Sequence, residues 1–130
     1  MFEWLRRKKS SPLTGAPAVR RQKSYSAHSG YVYQYYFEGQ RSDEAGTEYV
    51  FEVTADRKNP FPVSVLVAES VVASWQRAHD RTLTPTERYA IAKMALFQAF
   101  DERRNPSEMR EPIRVRPADV DAILETLEIE

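Results

Sequence analysis

Residues 31–38 read YVYQYYFE, with Tyr31, Tyr33, Tyr35 and Phe37 at alternate positions and Val32, Gln34, Tyr36 and Glu38 between them. Alternation in aromatic and β-branched residues is the pattern of a half-buried strand, whose successive side chains point to opposite faces. A polar stretch holding Gly39 and Gly46 follows, and alternation resumes over residues 48–55, with Tyr49, Phe51 and Val53 opposed to Glu48, Glu52 and Thr54. The two runs predict a hairpin. Asp56, Asn59 and Pro60 mark a second turn, after which Phe61, Val63, Val65 and Val67 supply the apolar face of a third strand.

The period then changes. Val71, Val72, Trp75 and Ala78 recur at helical spacing over residues 69–79. The TPTE sequence at 84–87 combines an N-cap threonine, a proline at the first helical position and a glutamate three residues after the cap. That helix runs to about Arg103 with apolar positions wide enough to be covered on more than one side. Beyond Asn105-Pro106, Ile113 and Val115 alternate with arginines as a short edge strand would, and Pro117 opens a last helix carrying Val120, Ile123, Leu124 and Leu127. Strands grouped before helices predict an α+β fold: an antiparallel sheet of three strands, or four with the edge strand, under two to three helices on one face.

Residues 10–29 sustain neither period, because Ser, Pro, Ala, Gly and basic side chains leave only Leu13, Val19 and Tyr25 as sizeable apolar groups. Residues 1–29 are accordingly read as a basic, largely disordered arm, and 30–130 as a single domain. The 130-residue length suits one domain, and 42% hydrophobic residues suffice for a core. Net charge is zero, yet residues 1–23 hold Arg6, Arg7, Lys8, Lys9, Arg20, Arg21 and Lys23 against Glu3 alone. Residues 117–130 hold only acids, so the two ends attract. Cysteine is absent, which excludes disulfides, thiol catalysis and zinc knuckles and fits a reducing, cytoplasmic setting. The start, MFEWLRRKK, places aromatics before its basic cluster, the reverse of a secretory signal. No run of apolar residues approaches the ~20 needed to span a bilayer.

Candidate chemistry is sparse. His28 and His79 stand outside any recognised motif, the latter beside a helix end that would favour its protonated ring. Asp101-Glu102 and the pair Glu48 and Glu52 are the nearest thing to clustered carboxylates, and Glu48 and Glu52 fall on the polar, solvated side of their strand. The four glycines form no phosphate-binding loop, and no serine sits in a nucleophile elbow. Catalysis, a cofactor and a metal are therefore not expected, and the motifs resemble no characterised family.

The concentrated feature is aromatic and basic. Tyr31, Tyr33, Tyr35 and Phe37 are read as the face under the helices, while Val32, Tyr36, Val50 and Leu66 on the other face offer apolar surface to a partner or a second copy. The expected function is a small protein-interaction module or assembly subunit. The alternative is a single-stranded nucleic-acid binder, with the basic arm on phosphates and sheet tyrosines stacking bases; Glu38, Glu48 and Glu52 oppose it by repelling phosphate. Phe2, Trp4 and Leu5 beside Arg6, Arg7, Lys8 and Lys9 would allow a weak peripheral membrane contact through residues 1–9.

Overall fold

The computed structural model describes residues 12–127. Five strands lie in chain order across one sheet: β1 (Lys23–Ser26), β2 (Val32–Asp43), β3 (Gly46–Thr54), β4 (Phe61–Ala68) and β5 (Ile113–Arg114). The first four form an antiparallel meander, and β5 joins β4 in parallel, Val65 opposite Ile113. Helices α1 (Glu69–His79), α2 (Pro85–Glu102) and α3 (Pro117–Thr126) complete the fold. The class is α+β, as the pattern predicts, but the sheet has five strands rather than three or four.

The additional strand is β1, which lies within the stretch read as arm. Its sequence, KSYS, carries one aromatic, and that residue explains it: the Tyr25 ring stacks on Phe97 at 4.7 Å and Phe100 at 5.4 Å. Its hydroxyl also donates to Asp101 Oδ2 at 2.7 Å. Contacts to a helix some seventy residues later, not local alternation, hold these residues extended.

The β2–β3 hairpin is longer and tighter than the glycines suggest. Pairing continues to Asp43 opposite Gly46, and the stretch expected to be a loop is mostly strand. A bulge between Phe37 and Gly39 shifts the register. Gly46 is required at its site, since a Cβ there would lie 2.4 Å from the Val67 carbonyl oxygen.

One face of the sheet presents Tyr33, Tyr35, Tyr49, Phe51, Val53, Val63 and Val65 to Val72 and Trp75 of α1, Ile91, Leu96 and Phe100 of α2, and Val120, Ile123 and Leu124 of α3. Burying each of the larger side chains contributes about 1.5–3 kcal/mol. Helix α2 starts as its sequence dictates: Thr84 Oγ1 accepts from the Glu87 N–H at 3.1 Å, and Glu87 Oε1 accepts from the Thr84 N–H at 2.9 Å. Arg103, just past its end, donates to the carbonyls of Glu108, Glu111 and Pro112, pinning the loop that returns the chain to β5.

The opposite face departs from a solvated surface. Cross-strand registers set Arg41, Glu48, Leu66 and Arg114 in one row, with Val50 opposite Ser64 beside it. Val50 and Leu66 are buried, and Glu48 is only 1% exposed. The carboxylate survives burial because Arg41 Nε lies 3.0 Å from its Oε1 and the Ser64 hydroxyl donates to its Oε2. Alternation places Glu48 on the polar side correctly, yet the Arg41 partner sits in the segment read as loop.

Candidate functional site

Residues 12–22 run beside β2. Thr14 and Gln40 exchange two backbone hydrogen bonds of 2.7 Å. Gly39 makes this approach possible, because its φ of 144° suits glycine and a Cβ would meet the Thr14 carbonyl oxygen at 2.9 Å. Farther along, the Arg20 guanidinium lies 5.5 Å from the Tyr36 ring centroid and 3.6 Å from Glu38. Lys23 then begins β1.

Where this segment passes the start of β2 and the side of α2, a cavity of about 210 Å³ opens. Tyr35, Phe37 and Tyr89 are among its walls, with Arg21 and Lys23 lining it from the segment entering β1 and Lys93 from α2. The aromatic floor is packed: Tyr89 meets Phe37 edge-on at 4.9 Å, and Tyr35 meets Phe97 at 5.7 Å. Among the described residues no carboxylate lines it. Burial pulls the Lys93 ammonium below its ordinary pKa, and the adjacent Lys23 side chain pulls it further. On the outer side, burial raises the Tyr36 and Glu52 pKa values, and the neighbouring Glu38 raises both further. The chemistry available is capture of a negative charge against an aromatic wall.

The expected interaction residues thus divide. Arg20, Arg21, Lys23 and Tyr36 come together at this edge. Val32 stands exposed at its far end, while Val50 and Leu66 are buried on the sheet and form no open face with it. Arg6, Arg7, Lys8 and Lys9, with the proposed membrane contact, lie outside the described residues. Sequence reasoning missed Lys93 and Tyr89. A usable sign was present: Tyr89, Lys93 and Phe97 are four residues apart, which stacks a lysine between two aromatics on one helix face.

Asp101 and the two histidines are engaged structurally. Asp101 accepts from Tyr25 and from the His28 N–H at 3.0 Å, and His79 stacks on Trp75 with ring centroids 4.2 Å apart. A second cavity of about 250 Å³ includes Glu102, Arg103, Arg116 and Asp119, but Arg103 is occupied by carbonyls and Arg116 pairs with Asp119 at 3.0 Å. Among the described residues no group of three or more His, Cys, Asp or Glu could hold a metal ion, and no helix is long and apolar enough to cross a membrane. Compared with models of known protein families, with curated proteins and with solved structures, the chain gives no match.

Proposed function

We propose that the protein is a non-catalytic interaction module that holds an extended segment of a protein partner, or of a second copy, along the β1 edge. The observation that carries this reading is the placement of exposed apolar side chains. Among the described residues the exposed large hydrophobic side chains are Val19 (68% exposed), Tyr31 (40%) and Val32 (45%): Val19 precedes β1, Tyr31 lies in the β1–β2 connection, and Val32 opens β2 opposite Ser26 at the end of β1. Among the described residues strand β1 pairs with β2 alone, which leaves its outer backbone groups for strand addition, and apolar side chains at both ends would set the register of an added strand.

The nucleic-acid reading is less well supported. Tyr33 and Tyr35 pack against Phe100 and Phe97 in the core, and the Tyr36 ring lies under Arg20. Sedimentation over a range of concentrations, together with the composition of the untagged protein's native complexes, tests the proposal. Self-association or a stoichiometric protein partner is expected, lost in Tyr31→Ser/Val32→Lys without a change in melting temperature. A monomer without partner that binds single-stranded oligonucleotides at physiological salt would refute it.

A further inference from the structure

Five described arginines near the surface are neutralised by carboxylates: Arg20 by Glu38, Arg81 by Glu87, Arg88 by Glu69, Arg104 by Glu108 and Arg116 by Asp119. Arg21, Lys23 and Lys93 are among the cations with which no carboxylate of the described residues forms an ion pair. Yet they meet at one cavity. Two like-charged ammonium groups side by side repel, and without a counter-charge the arrangement costs free energy that a bound anion would recover. Lys93 is held there by packing, its Nζ 5.8 Å from the Phe97 ring centroid, and Lys23 is fixed by β1 pairing opposite Tyr35.

The cavity is larger than a bare anion requires. About 210 Å³ compares with roughly 30 Å³ for one water in the liquid, so an oxyanion leaves room for a flat apolar group. The Tyr35, Phe37 and Tyr89 rings supply the wall for it. From this geometry we infer that the cavity is a binding site for an aryl phosphate, presented as a phosphotyrosyl side chain on a peptide. A phosphomonoester brings about −1.5 to −2 charges and three acceptor oxygens to one point, which suits three cations lining one cavity. A polyanionic strand suits the site less, because Glu38 and Glu52 lie beside Tyr36 at its outer side and oppose a continuing phosphate backbone. The site adjoins the β1 edge and shares Val19 and Lys23 with it, but anion capture by Lys23 and Lys93 does not require a strand to be added there.

The test is titration of the full chain with phenyl phosphate, inorganic phosphate, a phosphotyrosyl peptide with its unphosphorylated form, and a single-stranded oligonucleotide, followed by NMR and calorimetry. Phenyl phosphate and the phosphopeptide are expected to shift resonances of Tyr89 and Lys93 and to raise the Lys93 pKa. Inorganic phosphate, lacking the ring, should bind at least tenfold more weakly, and the unphosphorylated peptide should not compete. Lys23→Gln and Lys93→Gln should each weaken phenyl phosphate binding roughly tenfold or more, the value of one hydrogen bond to a charged group. Lys58→Gln, in an exposed turn away from the cavity, should leave it unchanged. Melting curves verify folding, and Lys23→Gln, at an exposed strand end, carries the test if the helix variant is unstable. Shifts confined to other residues, equal losses in all three variants, or an oligonucleotide that displaces phenyl phosphate more effectively than the phosphopeptide would overturn the assignment. Failure here leaves the sedimentation test untouched, so the two proposals fall separately.

Discussion

Replacing Glu48 tests the most unexpected feature of the sheet, a carboxylate buried on the face away from the helices. In Glu48→Gln the side chain keeps its shape and can still bond Ser64, but the Arg41 guanidinium, itself only 14% exposed, then faces a neutral amide. Removing one partner of a buried ion pair typically costs about 3–5 kcal/mol, whereas a surface substitution stays within about 0.5 kcal/mol. For a domain of this size, with a urea dependence of about 2 kcal/mol per molar, the larger figure moves the midpoint by roughly 1.5–2.5 M. The companion variant Arg41→Met/Glu48→Leu removes both charges and should recover most of the loss, or exceed the parent by about 1–4 kcal/mol if the new side chains pack. Equilibrium urea unfolding of the parent, both single variants and the pair gives the coupling directly. A Glu48→Gln midpoint within experimental scatter of the parent would refute the buried pair, as would a double variant whose loss equals the sum of the singles.

Phe51→Ala and Phe100→Ala should each cost about 3–5 kcal/mol in denaturant unfolding, and Phe97→Ala less, because its ring is only partly buried. The Tyr25 hydroxyl, bonded to Asp101 and partly shielded, is pushed up to about 12. Its unfolded value is near 10, so the unfolded chain releases this proton first and stability falls as pH rises between about 10 and 12. Tyr25→Phe should make that slope shallower in melting curves, leaving the part due to the other tyrosines raised by burial, such as Tyr33 and Tyr89. Limited trypsin should cut at Arg20 or Arg21, in an exposed segment without regular structure, before any site in the domain, and fragments cut within the domain that still carry both arginines uncut would contradict this.

Much of the fold was legible in local pattern: strands β2 to β4 through alternation, α2 through its capping residues, α3 through Pro117 and its apolar stripe. What local pattern could not show depends on distant partners. Strand β1 is specified by Tyr25 against Phe97, Phe100 and Asp101. The continuation of β2 past Gly39 is marked by a bulge that breaks the alternation there, and Glu48 resembles a solvated residue until Arg41 is paired opposite it. For the candidate site, the basic residues and Tyr36 were visible as a cluster in sequence. The cavity that joins Arg21 and Lys23 to Lys93 exists only because α2 crosses beside the start of β2, and no local period reports such a crossing.

The parallel pairing of β5 with β4 bears on the order in which the molecule assembles. Val65 and Ile113 are 48 positions apart, with both α1 and α2 between them, whereas the first four strands are linked by short turns. Closing so long a loop is entropically slow and is repaid only once the intervening helices are placed. The meander and its hairpins can therefore form early in synthesis. The outer edge of β4 stays open until the residues that form β5 leave the ribosome and Arg103 draws the returning loop into position. Shortening the chain from its C-terminal side should thus expose the one edge that the finished protein covers and convert a late folding step into a route to aggregation.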